Sequence, residues 1–168
     1  GWKKKGDTTE LVISMSKQAT DSLQKAKKSV ETALKNGFES TFKSHAKWWK
    51  GFFAKSEVNL PEKYLQDHYE LVQYFYGSSS RRKTSAMPLQ GVWTADNGNL
   101  PPWKGDYHND LNTQMTYMGY QGSGHFDEGA TFLDMLWDLR PTFSKFAKEF
   151  FEAPGIAVPG VMSRGGGA

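Results

Sequence analysis

Three consecutive stretches of this chain carry apolar residues at helical spacing, and only short links separate them. In "TDSLQKAKKSVETALKNG" (20–37), Leu23, Ala26, Val30, Ala33 and Leu34 share one face of a helical period. Thr20 or Asp21 can cap its start, and Gly37 suits its end. In "FESTFKSHAKWWKGFFAKS" (38–56), Phe42, Ala46, Trp49 and Phe53 form the stripe, widened by His45, Trp48 and Phe52. That pattern predicts burial of a broad aromatic side, with His45 as a core histidine on its flank. "LPEKYLQDHYELVQYFYGSSSRR" (60–82) opens with Pro61 at a first turn, where a missing N–H costs nothing. Tyr64, Leu65, His68, Leu71, Val72 and Phe75 mark its expected buried face, and Gly77 with the following serines its end. Helices joined by short links run antiparallel, so this part of the chain is restricted to helix hairpins.

The flanking segments add to this mainly α reading. "ELVISMS" (10–16) reads as one possible N-terminal strand without a partner strand in the chain, with a helix continuous with the next segment as the rival. A further helix is expected from near Asp110 through "LNTQMTYMGYQ", and another over 130–152, where Pro141 should kink or split it. "APGIAVPGVMSRGGG" reads as loop, and no internal repeat is present.

Composition excludes some classes. A chain of 168 residues suits one compact domain or a piece of a larger protein. Its net charge of +3 comes from short basic clusters (Lys3–Lys5, Lys25 with Lys27 and Lys28, Arg81–Lys83) that no nucleic-acid motif accompanies. Solvated faces explain them, and no nucleic-acid partner is expected. The absence of Cys removes disulfides and thiolate metal sites. No apolar run approaches the ~20 residues needed to span a bilayer. Both ends read as cuts, so a fragment of a longer protein is expected.

Residues 83–109 are punctuated by Pro88, Gly91, Gly98, Pro101, Pro102 and Gly105. Long loops inside compact domains are usually functional. This one carries two indoles, Trp93 and Trp103, and runs into "DYHNDLNTQ", which crowds Asp106, Tyr107, His108, Asn109, Asp110, Asn112 and Gln114 together. Aromatic rings either fill cores or wall sites that stack on sugar rings and bases. Indoles beside Asp, Asn and Gln suit a ligand with hydroxyls around an apolar ring face, such as a sugar. Asp110 and Gln114 share a helix face, whereas Asn112 joins them only if the helix starts irregularly. A metal site is the alternative: Asp106, His108 and Asp110 alternate like ligands, and His125, Asp127 and Glu128 add donors, but neither set matches an established spacing. "GSG" (122–124) lacks the strand and Lys of a phosphate cradle, and no Gly-x-Ser-x-Gly elbow offers a nucleophile.

At "HAKWWKGFF", "LQGVW" (89–93), "PPW" (101–103) and "DYHNDLNTQMTY" (106–117) the chain resembles family 95 of the glycoside hydrolases, over roughly residues 10–163. The resemblance implies an α-L-fucosidase-like, inverting enzyme built on a six-hairpin (α/α) barrel. Residues 1–19 would be the end of a preceding β-domain or a linker, and 20–168 a partial (α/α)6 barrel. The family's two water-holding asparagines, in an N-x-N motif, match Asp110 and Asn112, with Asp in place of the first Asn. Asp110 could hold the water and also act as a carboxylate base. Trp93, Trp103, Asp106, Tyr107, His108 and Gln114 would bind substrate or hold the loop. No metal or cofactor is implied, the substrate would be a carbohydrate, and an extracellular or periplasmic setting is expected. The general acid Glu and the activating Asp have no match in this chain. The acid and base carboxyls of an inverting enzyme stand ~6.5–9.5 Å apart across the sugar. Asp106 and Asp110 lie on one segment and are poorly placed to be that pair. The isolated piece is therefore expected to be inactive, with apolar faces awaiting an upstream β-domain and downstream helices. The reading from another class is a non-catalytic helical carbohydrate-binding module.

Overall fold

The computed structural model describes residues 1–15, 20–91, 99, 103 and 105–168. They divide into two compact units, Gly1–Gly51 and Phe52–Ala168.

The first unit begins with a β-hairpin. β1 (Trp2–Lys5) pairs antiparallel with β2 (Thr8–Leu11), Lys3 opposite Glu10. The two-residue turn is led by Gly6 at φ 59°, a backbone angle glycine adopts freely. This corrects the expectation of an unpartnered strand over 10–16: the strand ends at Leu11, and its partner is the Lys-rich N-terminal segment, whose polarity hid it. α1 (Ser22–Phe53) is broken at Gly37 (φ 78°, ψ 165°), the boundary expected between two helices. The hairpin closes over that break. Lys3 Nζ donates to the Leu34 carbonyl and pairs with Glu10 at 2.7 Å, while Glu10 Oε1 accepts the Phe38 N–H at 3.3 Å. One strand pair thus satisfies a carbonyl before the break and an N–H after it. The aromatic side is not broadly buried: Phe38 and Phe42 stack at 5.6 Å yet stay exposed, and His45, also exposed, meets Trp49 edge-on at 6.3 Å. His45 is therefore no core histidine.

The second unit is also mainly helical. α2 (Lys63–Ser79) is followed by β3 (Tyr107–His108), α3 (Asn112–Gly122), α4 (Phe126–Asp138), α5 (Arg140–Phe151) and β4 (Val161–Met162). β3 and β4 pair antiparallel, Tyr107 opposite Met162 and His108 opposite Val161. The second strand lies inside the segment read as loop. The expected long helix starts at Phe126 and splits at Leu139, and Pro141 falls in the first turn of α5, where its ring is tolerated. Pro61 precedes α2 instead of entering it, and Gly77 lies inside that helix.

The core is a run of rings. Tyr76 stacks on Tyr120 at 4.4 Å, Tyr120 on Tyr117 at 5.2 Å and Tyr117 on Phe132 at 4.8 Å. Ala86, Met87, Tyr107, Phe143 and Met162 complete it. Buried phenols need partners. Tyr107 donates to the Ala86 carbonyl at 2.7 Å, Tyr117 accepts the Met87 N–H at 2.7 Å, and Tyr120 donates to the Tyr76 carbonyl at 3.1 Å. Burial pushes the Tyr117 phenol up to about 12 and raises those of Tyr107 and Tyr120.

α2 turns the other face inward from the one expected. Tyr64, Leu65, His68, Leu71 and Phe75 are exposed and Val72 half-buried, whereas Gln73, Gly77 and Ser80 are buried. The reason lies in what this face meets: a stacked tyrosine against Tyr76, and the Glu128 carbonyl, to which Ser80 Oγ donates at 2.7 Å. Small and polar side chains fit that contact.

Candidate functional site

The approach to the polar segment is fixed by backbone bonds. The Asp106 N–H donates to the Trp103 carbonyl at 3.0 Å, and the Asp106 carbonyl accepts the Leu89 N–H at 3.0 Å. Strand alternation then sends Tyr107 inward, where it is 3% exposed with its hydroxyl on Ala86. Tyr107 holds the loop and does not present its hydroxyl outward. His108 is half-buried beside the edge of the Trp103 ring, 5.4 Å between centroids. Trp103 itself is 57% exposed. Trp93 lies outside the described residues.

The chain then leaves the strand through a turn at Asn109 and Asp110, and α3 starts only at Asn112, after Leu111 at φ −165°, ψ −49°. Asp110 therefore lies in the turn before α3, which corrects the expectation that it shares a helix face with Gln114. Asp110, Asn112 and Gln114 are all exposed, while Thr113 between them is 2% exposed. Gln114 Nε2 donates to the Asn109 carbonyl, which leaves its oxygen for other partners. Asp106 is half-buried. His108 Nε2, Asn109 Oδ1 and Thr113 Oγ1 are buried without a hydrogen-bond partner among the described residues. Chemically the segment offers an exposed carboxylate acceptor at Asp110 and an amide, both donor and acceptor, at Asn112.

The second cluster of candidate donors takes a different form. Glu128, 7% exposed, binds Lys55 Nζ through both oxygens, at 3.0 and 3.2 Å. His125, 1% exposed, stacks flat on Phe52 at 3.7 Å, with Nδ1 3.9 Å from Glu128 Oε2. Burial lowers the His125 pKa, with Glu128 pulling it up and Lys55 pushing it down. Among the described residues no group of His, Asp or Glu is arranged to hold a metal ion. Sequence reasoning missed Lys55 because it lies 73 positions from Glu128. It named Asn109 only as one of several polar groups and missed that it fastens to the C-terminal loop: its N–H donates to Gly160 O at 2.6 Å and its Nδ2 to Pro159 O at 3.0 Å.

The described segment thus holds an exposed indole beside His108 and an exposed Asp110 and Asn112 at the start of α3, in a mainly helical chain. The profile of the glycosyl hydrolase family 95 catalytic domain matches residues 13–163. The chain belongs to that family and carries part of its catalytic domain. It is 30% identical over 114 residues to the probable alpha-fucosidase A of Aspergillus niger, a match covering 55% of this chain and 14% of that protein.

Proposed function

We propose that this chain supplies the water-positioning and sugar-binding segment of an inverting, α-L-fucosidase-like glycoside hydrolase. The observation that carries the reading is the irregular entry to α3, which leaves Asp110 and Asn112 exposed at the start of one helix. Asn112 can donate to a water and accept from it, whereas an ionised Asp110 only accepts. Together they would orient the water with an oxygen lone pair free for the anomeric carbon. The general acid and the residue that activates the water would come from outside this chain, across the sugar. Trp103 would offer its exposed face to the sugar ring. His108, Asp106 and Gln114 would contact hydroxyls.

In this reading residues 1–19 end a preceding β-domain or linker, and 20–168 form part of an (α/α)6 barrel. The exposed apolar residues of α2 support that placement, because Leu65, Leu71 and Phe75 have the stripe of a face packed by further helices. The test is turnover of an α-L-fucosyl oligosaccharide by the full-length protein, with the anomer of the released sugar followed by NMR. Inversion, lost in Asn112→Ala, is the expected outcome; retention of configuration or an unaffected variant overturns the reading.

A further inference from the structure

The geometry points to Asn109 as a positioning residue that aims the Asp110–Asn112 pair, an inference that rests on the proposed function above. Asn109 is the next rung of the β3–β4 ladder. Tyr107 faces Met162 and His108 faces Val161, so Asn109 falls opposite Gly160, where its N–H bonds the carbonyl at 2.6 Å. Its side-chain Nδ2 takes the adjacent carbonyl, Pro159 O, at 3.0 Å. Two donors of one residue are thus caught by two consecutive carbonyls, which fixes both its backbone and its side-chain torsion. Its own carbonyl accepts Gln114 Nε2 from the first turn of α3.

The segment 109–114 is therefore a closed loop, pinned to the 159–160 strand entry at one end and to α3 at the other. Asp110 and Asn112 lie inside it. Among the described residues the Asp110 side chain has no hydrogen bond or ion pair, and Leu111 beside it is 61% exposed. The backbone on either side is held by Asn109 and by the Leu111 carbonyl, which accepts the Met115 N–H at 3.0 Å. The direction of its carboxylate is set by the backbone that Asn109 holds.

The experiment is a double-mutant cycle in the full-length protein acting on an α-L-fucosyl oligosaccharide. Asn109→Ala keeps the backbone N–H and carbonyl and removes the Nδ2 donor together with an Oδ1 that has no partner among the described residues. Alone it should lower kcat by about 10- to 100-fold, the scale on which a misplacement of about 1 Å acts, with KM changed less than about 3-fold. In the Asn112→Ala background the same change should cost less than about 3-fold, because the pair it aims is already broken. A merely structural role would give additive losses in both backgrounds. Should Asn109→Ala fail to fold, Asn109→Ser, whose shorter hydroxyl does not reach the Pro159 carbonyl, should show the same kcat loss and the same non-additivity. Additive losses, a loss confined to KM, or unchanged kcat beside an inactive Asn112→Ala overturns the inference alone. A near-normal Asn112→Ala, or a wild type that leaves the oligosaccharide intact, overturns the proposed function and this inference with it.

Discussion

Lys55 and Glu128 lie 73 positions apart and meet through both carboxylate oxygens, one at 3.0 Å, with the carboxylate side chain 9% exposed. The pair joins the segment after α1 to the first turn of α4, where a carboxylate also suits the helix N-terminus. Removing the cation strands a buried negative charge, and this costs more than the pair itself contributes. Because the Lys55 side chain is partly solvated, Lys55→Met should destabilise the second unit by about 1–3 kcal/mol. Chemical denaturation checks this, and an unchanged midpoint would show that Glu128 finds other solvation.

His125 makes the same region sensitive to acid. Burial lowers its pKa below the ordinary 6.5, so the unfolded chain takes up a proton first as pH falls. The stabilisation is full above the ordinary value and is lost as pH falls through the folded one. The urea midpoint should drop as pH falls below the ordinary histidine value of about 6.5, and less steeply in His125→Gln. Equal slopes in the two proteins would remove His125 from the account.

Tyr117→Phe removes the acceptor of the Met87 N–H and leaves a buried donor unpaired. Such a loss costs about 1–3 kcal/mol. Thermal unfolding of the variant should register it, while Tyr64→Phe, at an exposed tyrosine, should change little.

Gly119 has no space for a side chain: a Cβ there would overlap the Tyr76 ring. Gly129 is nearly as tight, with a Cβ landing 2.8 Å from Tyr120 Cβ. Gly119→Ala should therefore destabilise by about 1–3 kcal/mol in spite of alanine's better helix propensity. A gain in stability would mean that α2 and α3 pack more loosely than the tyrosine stack implies.

What could be read in the sequence follows from how local each feature is. The break at Gly37 and the split at Pro141 are written in glycine and proline, whereas the start of α3 at Asn112, with Asp110 left in the turn before it, was not read from the residues. The face of α2 was not legible. Its apolar stripe, Tyr64, Leu65, Leu71 and Phe75, points to solvent, while Tyr76, Gly77 and Ser80 meet the tyrosine core. A periodic stripe marks a face that can be buried and does not say by which part of a protein. The hairpin was hidden because three lysines in a row do not look like a strand. Their partner, Glu10, becomes visible only once Lys3 stands opposite it. In the site, residue types marked the segment 106–114. That Tyr107 faces the core and that Asn109 is held by Pro159 and Gly160 depend on pairing across some fifty positions, which no local pattern records.

The most direct measurement is the turnover number of Asn112→Ala in the full-length protein on an α-L-fucosyl oligosaccharide, beside a check that its melting temperature is preserved. Loss of the amide proposed to hold the water should lower kcat by at least about 100-fold, the lower end of the scale for a general acid–base group, with KM little changed. A folded variant that turns over at a near-wild-type rate would contradict the assignment of the water site to the start of α3.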